Sequence, residues 1–316
     1  MEAANRRLRQ IQGMLLPDDR SQWTQVVILP SGLRGSVSAQ PNGSTKIAID
    51  DRHILDYRPL PKEVALVLSA IGTPYEKNSP TPKYTVIELS SPDGTSPITF
   101  VDFWCATYVL WTLFHTQEQI PIVLTPTIAN VAALTDDVLM SGLGRNALDP
   151  EVHEIFLLRN TFWEGAGTGP LWNNMHGWMR GIYGYKAAQY PYTLSFTRNP
   201  LVIAQHPLRT PKPAPGECIY KRYCVGVGMT LSVVAIDIYS QEHLEVFHRW
   251  HNDELVNKGW GEKGTFEDHK RYMKTVWEDP HVLPVYMLWE DEFMGYCEIV
   301  WIKVNILYSN VSKLRS

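Results

Sequence analysis

Hydrophobic and polar positions alternate in short runs through the first two-thirds of the chain. Stretches rich in β-branched residues, each closed by Gly, Asn, Asp or Pro, predict strands in "WTQVVILPSG", "STKIAIDDRHI" and "KYTVIELSSPDGTSPITF". The pattern over 101–117 predicts one strong helix. Its apolar run "FWCATYVLWTLF" is too short to cross a bilayer, so the helix should be buried. Another strand is predicted in "HEIFLLRNTFW".

The last third of the chain has a sharper pattern. "MTLSVVAIDI" predicts a strand, and the next run predicts a helix over 241–253 with Ser240 or a neighbour as its N-cap. Helical spacing places four residues on one face of that helix, namely Leu244, Phe247, His248 and His251.

A second helix is predicted over 264–279. Thr265 is its expected N-cap, and Asp268 three residues later forms a variant of the capping box. Two apolar runs on either side of Glu290 to Glu292 then predict a β-hairpin. The expected order in this part of the chain is strand, helix, helix, strand, strand.

Prolines indicate where the chain divides. The segment "HPLRTPKPAPGE" at 206–217 contains four prolines, which exclude regular structure and stiffen the backbone. We therefore expect an N-terminal mixed α/β domain over 1–205, a junction over 206–217 and a second domain over 218–303, in fold class α/β (α+β). Residues 304–316 form a polar tail with no predicted partner.

Composition narrows the class of protein. A formal net charge of -4 over 316 residues argues against a general nucleic-acid-binding protein. The N-terminus lacks the apolar run of a secretory signal, and we expect an intracellular protein without a membrane anchor. The four cysteines show neither CxxC pairing nor zinc-finger spacing, and they are expected to be free thiols: Cys105, Cys218, Cys224 and Cys297.

Two motifs could carry chemistry, and each has a plainer alternative. "GAGTG" at 165–169 could hold a phosphate at a helix N-terminus, but it lacks the Lys-Ser/Thr of a Walker loop and also fits a tight turn. His243, His248, His251 and Asp253 could bind a metal ion, but their spacing matches no metalloprotease motif, and core packing explains them as well. No GxSxG motif supports a hydrolase with a covalent intermediate.

The densest group of reactive and aromatic residues is "FHRWHNDELVNKGWGEKGT" at 247–265. Aromatic and amide side chains at a helix end and in the following loop are typical of a site for a small polar molecule. An aromatic cap over the core is the alternative interpretation.

From this stretch onward the chain resembles a known family. The Trp-His-Asn-Asp run at 250–253, the Gly-Trp at 259–260 and the Gly-Tyr-x-Glu-Ile-x-Trp at 295–301 resemble the siderophore-biosynthesis N-acyltransferases of the GNAT superfamily. The Pro-rich junction and the long first domain resemble its fungal branch, the N5-hydroxyornithine transacylases. The first domain, with "GAGTG" between a strand and a helix, is interpreted as a degenerate GNAT-like half.

The resemblance implies a reaction and its substrates. An acyl-CoA would donate its acyl group to the hydroxylamine nitrogen of N5-hydroxyornithine, giving an iron-binding hydroxamate for siderophore biosynthesis. Acyl-CoA would be a co-substrate, with no bound cofactor and no metal. The resemblance leaves the donor open between acetyl and anhydromevalonyl groups, and it leaves the compartment open between cytoplasm and peroxisome. A homo-oligomer is compatible with it.

The resemblance also implies site residues. Trp250, His251, Asn252 and Trp260 would line the pocket for the acceptor and the acyl group. Glu298 could hold the acceptor's ammonium group, with a carboxylate satisfied by its neighbours as the alternative. Glu298 and Trp301 are an odd number of positions apart, so they should face opposite sides of a strand.

By the same resemblance the proposed catalytic histidine, the pantetheine-pairing strand and the pyrophosphate loop would follow Lys303. Residues 304–316 depart from that pattern, and we hypothesise an unspliced intron or a mis-predicted exon. The 316-residue form is therefore expected to show no measurable transacylase activity. Two alternatives are a non-catalytic partner of the full-length enzyme and, more weakly, an aminoglycoside-type acetyltransferase.

Overall fold

The computed structural model describes residues 24–66, 74, 82–164, 192–196, 203–207 and 211–300. These residues divide into two compact units. The first unit contains the described residues up to Glu164 together with the turn Tyr223–Gly228, and the second contains the others. Both units contain strands, and both contain helices, so the predicted mixed α/β class is confirmed. The exact domain boundaries drawn from the sequence stay a prediction.

An eight-stranded sheet forms the framework of the first unit. Its order is β1-β2-β3-β4-β5-β6-β8-β7, and every neighbouring pair is antiparallel except β5 and β6. The strands are β1 Thr24–Ile28, β2 Arg34–Ala39, β3 Thr45–Ile49, β4 Arg52–Val64, β5 Tyr84–Ser90, β6 Gln119–Leu124, β7 Gly144–Asn146 and β8 Ile155–Leu158.

The first unit has three described helices: α1 Phe100–Leu113, α2 Val131–Met140 and α3 Arg159–Glu164. α1 is buried at every position from Asp102 to Thr112, which confirms the predicted core helix. It packs on β2, β3 and β4. Gly35 on β2 permits this close approach, because a Cβ there would lie 2.7 Å from Cγ2 of Val109.

Two elements of the first unit depart from the sequence expectation. The strand predicted over 153–163 ends at Leu158 and continues as α3, because Phe162 turns back to stack on Trp104 with ring centroids 5.6 Å apart. The run predicted as a strand over 44–54 contains β3 and the start of β4, and β4 continues through Pro59. Beyond Tyr57 the strand no longer pairs with β3, so a missing N–H there breaks no ladder on that side.

The second unit is built on a four-stranded sheet in the order β11-β12-β13-β14, with a separate antiparallel pair β9 and β10. The strands are β9 Tyr192–Phe196, β10 Ile203–Pro207, β11 Cys218–Cys224, β12 Met229–Ala235, β13 Val282–Trp289 and β14 Glu292–Val300. Its described helices are α4 Gln241–His251, α5 Glu254–Trp260 and α6 Phe266–Glu278.

The predicted helices and hairpin of the second unit are confirmed, and β9, β10, β11 and α5 are added to them. β10 ends at Pro207, so regular structure reaches the first two residues of the Pro-rich segment that was expected to exclude it. α4 packs on α6, α6 packs on β13, and β13 pairs antiparallel with β14. β11 precedes the predicted order. The short helix α5 occupies what the sequence indicated as a loop, because Asp253 caps its N-terminus and Gly261, at φ 69°, ends it.

Within the described part of the chain, no helix has the length and apolarity needed to cross a membrane.

Candidate functional site

α4 positions the first group of candidate residues. The Ser240 hydroxyl accepts a hydrogen bond from the backbone N–H of His243, so the helix begins where the sequence predicted. The predicted face turns inward: Leu244, Phe247 and His251 are buried and His248 is half-buried. Phe247 therefore lies at the centre of an aromatic cluster between α4, α6 and β14.

His251 is buried at the last turn of α4. Its Nδ1 lies 3.0 Å from the carbonyl oxygen of Phe247, which can only accept, so Nδ1 carries a proton. Its Nε2 points toward the Glu262 carboxylate, with Oε2 at 3.5 Å. The ring stacks on Phe247 at 3.8 Å and meets the edge of Tyr296 at 5.7 Å. His251 thus has one nitrogen fixed by the backbone and the other beside a carboxylate.

Asn252 has a structural role. Its Nδ2 donates to the carbonyl oxygens of His248 at 3.0 Å and Gly264 at 3.1 Å. Its Oδ1 accepts from the backbone N–H of Gly264 at 3.3 Å. The side chain thereby ties the end of α4 to the loop before α6.

Two histidines in contact, His248 and His269, brace the same loop. His269 Nε2 lies 2.8 Å from the Glu262 carbonyl oxygen and must donate to it. His269 Nδ1 lies 2.9 Å from His248 Nδ1, so one of the two nitrogens donates to the other. These histidines are used in holding the loop. Among the described residues no group of three or more His, Cys, Asp or Glu side chains could hold a metal ion.

The two tryptophans of this region differ in burial. Trp250 is half-buried and packs edge-on against Tyr286, with ring centroids 5.7 Å apart. Trp260 is 74% exposed at the end of α5. The structure therefore brings Trp250 to the core of the second unit and leaves Trp260 on the surface.

Glu298 on β14 is the best-defined polar group of the site. Its Oε1 accepts a hydrogen bond from Tyr272 Oη on α6 at 2.7 Å and another from Tyr296 Oη on its own strand. All three residues are partly buried. The structure thus shows a carboxylate oxygen saturated by two neighbours, and it connects Glu298 through Tyr296 to His251.

Burial and charge keep both tyrosines protonated. Burial raises the pKa of Tyr272 above its ordinary value, and the charge of Glu298 together with its hydrogen bond raises the pKa further. Burial also raises the pKa of Tyr296, again with a contribution from Glu298. Both hydroxyls therefore remain donors across the physiological pH range.

Tyr272 and Tyr296 were missed by sequence reasoning. Tyr296 lies two residues before Glu298 on a strand, and that spacing places both side chains on one face. Tyr272 precedes the buried Met273 on α6, a signal for packing but not for a contact with β14. The partner of Glu298 on the helix could be found only from the fold.

The thiols of Cys105, Cys218 and Cys297 are not activated nucleophiles. Burial raises the pKa of Cys105 to about 12, and it also raises the pKa of Cys218 and Cys297. A protonated thiol is a poor nucleophile, and Cys105 is in addition buried in the core of the first unit.

Several predicted features lie outside the described residues. They are "GAGTG" at 165–169, Trp301 and residues 304–316. The prediction that Trp301 and Glu298 face opposite sides of the strand stays a prediction.

Residues 240–313 match the family model described as an acetyltransferase (GNAT) domain. The chain contains a GNAT acetyltransferase domain. That domain includes α4, α5, α6, β13 and β14, and therefore every described residue of the candidate site. The match also extends beyond Lys303, and the interpretation of residues 304–316 as an aberrant tail stays a prediction.

The chain is also similar to fungal acyltransferases. It is 37% identical over 204 residues to acyltransferase fer5 of Mycosarcoma maydis, covering 63% of this chain and 45% of that protein. It is 34% identical over 230 residues to acyltransferase ato1 of Omphalotus olearius, covering 72% of this chain and 55% of that protein.

A third relative has a more specific name. The chain is 31% identical over 240 residues to the N(5)-hydroxyornithine:cis-anhydromevalonyl coenzyme A-N(5)-transacylase SIDF of Beauveria bassiana, covering 67% of this chain and 52% of that protein. The resemblance to GNAT acyltransferases, hydroxyornithine transacylases among them, is thereby confirmed. The chain spans about half the length of the curated relatives that it matches.

Proposed function

We propose that this chain acts in N-acyl transfer from an acyl-CoA to the hydroxylamine nitrogen of N5-hydroxyornithine. The observation that carries the proposal is that the GNAT match at 240–313 includes the strand bearing Glu298 and the helices around it. The name of the Beauveria bassiana relative supplies the acceptor and the donor class.

The reaction needs alignment more than activation. A hydroxylamine is much less basic than an alkyl amine, so its nitrogen is neutral near pH 7 and retains its lone pair. That nitrogen attacks the thioester carbonyl, the C–S bond breaks, and CoA leaves as a thiol after the nitrogen has lost a proton. Holding the two reactants together supplies most of the rate. A base that accepts the proton adds on the order of 10²–10⁴.

The site residues take separate parts in this proposal. Glu298 binds the acceptor's ammonium group, and His251 lies behind it next to Tyr296. Trp250 and Asn252 shape the site from the core and from the loop, and Trp260, which is exposed at the end of α5, is proposed to contact the acceptor or the acyl group. The geometry supports indirect roles for Trp250 and Asn252, whose side chains are engaged in packing and in backbone hydrogen bonds.

The donor, compartment and assembly belong to the proposal as well. The bulky strand at 282–289 leads us to favour an anhydromevalonyl-like donor over acetyl. We place the protein in the cytoplasm or a peroxisome, with no nucleic-acid or membrane partner. Imaging of the tagged chain and sedimentation equilibrium test the compartment and self-association.

Binding of the acceptor is the first test. N5-hydroxy-L-ornithine should raise the melting temperature of the purified chain in a concentration-dependent way, because a ligand that binds only the folded state stabilises it. N5-Acetyl-L-ornithine, which keeps the α-amino group but lacks the hydroxylamine, serves as a comparison. It should raise the melting temperature less. Absence of any shift at millimolar acceptor would contradict the proposal.

Turnover is the second test. Acyl-CoA and N5-hydroxy-L-ornithine are added together, and hydroxamate is measured by its iron(III) colour alongside thiol release. Hydroxamate formation would support the proposed function and would refute the expectation that the 316-residue form is inactive. Acceptor binding without hydroxamate would leave the acceptor site in place and agree with that expectation.

A further inference from the structure

Two tyrosine hydroxyls converge on one oxygen of Glu298, and this arrangement has a consequence for the other oxygen. Tyr272 donates to Oε1 from α6, and Tyr296 donates to the same oxygen from β14. The carboxylate is thus held from a helix and a strand at once. Its rotation about the terminal bond would break both hydrogen bonds.

The chemistry of the three groups defines what they have left to offer. A tyrosine hydroxyl that donates its proton still has oxygen lone pairs that accept. The two tyrosines use both lone pairs of Glu298 Oε1, and among the described residues no hydrogen bond to Oε2 accompanies them, so Oε2 keeps its acceptor capacity. What remains is a group of acceptors with one negative charge. A phosphate or another anion would be repelled by it.

We propose that Tyr272 and Tyr296 are positioning residues that fix Glu298 so that its Oε2 and the tyrosine oxygens together bind a primary ammonium group. An ammonium group has three N–H donors and a full positive charge, which this set of acceptors matches. The inference rests on the proposed function, in which the ammonium is the α-amino group of the acceptor.

The site must be reachable for this role, and its exposure is consistent with that. Tyr272, Tyr296 and Glu298 are each half-buried. A fully buried carboxylate would be closed to a ligand, and a fully exposed one would be screened by water and salt. Half-burial gives access together with a charge interaction stronger than that on an open surface.

The first experiment changes the ligand and leaves the protein intact. Isothermal titration calorimetry compares N5-hydroxy-L-ornithine with 5-(hydroxyamino)pentanoic acid, which lacks the α-amino group. We expect the deaminated ligand to bind about ten- to hundredfold more weakly, the range for a lost charged hydrogen bond. Equal affinity for both ligands would overturn the ammonium site while the proposed function stands. Absence of binding by either ligand would overturn both.

The second experiment changes the protein. Glu298→Gln should weaken binding of N5-hydroxy-L-ornithine about ten- to hundredfold and change binding of the deaminated ligand less than about twofold. Tyr272→Phe and Tyr296→Phe should each weaken only the amine-bearing ligand, by about three- to tenfold. A positioning role therefore predicts selectivity between ligands, which a loss of folding would not produce.

Tyr286→Phe is the matched control. The Tyr286 hydroxyl donates to the backbone carbonyl of His243 at 2.7 Å, and its ring lies 6.2 Å from that of Tyr296. The variant removes a neighbouring tyrosine hydroxyl without touching Glu298, so the affinity ratio of the two ligands should be unchanged. If Tyr286→Phe lowers the ratio as much as Tyr272→Phe and Tyr296→Phe do, the proposal is wrong.

Discussion

At the scale of single residues, the candidate site separates into side chains that hold the fold and side chains that face a ligand. Asn252 belongs to the first kind, since its amide bridges α4 and the loop before α6. In the proposed function Glu298 belongs to the second, because half of its carboxylate is used by tyrosines and the residue remains partly exposed. A substitution should therefore affect stability at one position and affinity at the other.

Asn252→Ala should lower the free energy of unfolding by about 2 kcal/mol, because three partly buried hydrogen bonds are lost at about 1 kcal/mol or less each. Urea denaturation monitored by circular dichroism measures this change in the free energy of unfolding. Asn257→Ala is the control, since Asn257 gives the same loop one hydrogen bond, from Lys263 N at 2.9 Å. A loss no larger for Asn252→Ala than for Asn257→Ala would show that the bridge does not stabilise the loop.

The sequence could predict a residue's role only where its contacts lie within a few positions along the chain. Ser240 and the Thr265–Asp268 pair act within a few positions of their own helices, so their spacing predicted them correctly. Tyr272 reaches Glu298 from 26 positions away. No local pattern encodes that contact, because it depends on how α6 packs against the sheet.

At the scale of elements, α6 begins with a complete capping box. The Thr265 hydroxyl accepts from Asp268 N, and the Asp268 carboxylate accepts from Thr265 N at 3.1 Å. Thr265→Ala should cost about 1 kcal/mol of unfolding free energy.

Thr275→Ala is the matched control for the cap. The Thr275 hydroxyl bonds back to the Arg271 carbonyl within α6, a contact that helices do not need. The Thr275→Ala substitution should change the free energy of unfolding by less than about 0.5 kcal/mol. Chemical denaturation compares both variants with the parent chain. Equal losses would mean that the capping box contributes nothing particular to α6.

The contact of Lys212 with the C-terminal end of α6 predicts that the free energy of unfolding depends on pH. Lys212 Nζ donates to the carbonyl oxygens of Val276 and Trp277, and burial lowers its pKa from 10.5 to about 8. Between these values the folded chain has lost a proton that the unfolded chain keeps. Unfolding then takes up a proton, so the free energy of unfolding should rise with pH across this window.

Comparison with Lys212→Met isolates this contribution. The difference in unfolding free energy, parent minus variant, should increase between about pH 8 and 10.5 and stay flat between pH 6 and 7. Denaturation curves at a series of pH values measure it. A difference that falls as pH rises would contradict the lowered pKa of Lys212.

Elements were predicted well where their pattern was amphipathic and less well where tertiary contacts intervened. α4 and α6 have apolar faces at helical spacing, and both helices form as expected. α5 was indicated as a loop, because its seven residues bury none of their side chains and depend on the Asp253 cap and on Gly261. α3 forms because Phe162 packs on Trp104, a contact remote in sequence.

At the scale of the whole molecule, the two units differ in what they contribute to the proposed function. The GNAT match lies entirely in the second unit, and so do Glu298, its tyrosines and His251. The mixed α/β class followed from patterns along the chain, whereas the interpretation of the first unit as a degenerate GNAT-like half stays a prediction. The proposed function therefore requires that the acceptor binds to the second unit.

The most direct test is to locate the bound acceptor by nuclear Overhauser effects from N5-hydroxy-L-ornithine to the tyrosine rings, with ring signals assigned through Tyr→Phe variants. We predict effects between the acceptor's Cα proton and the rings of Tyr272 and Tyr296, and their loss in Glu298→Gln. Effects confined to tyrosines of the first unit, or a bound acceptor with no effect to either ring, would contradict the assignment of this site.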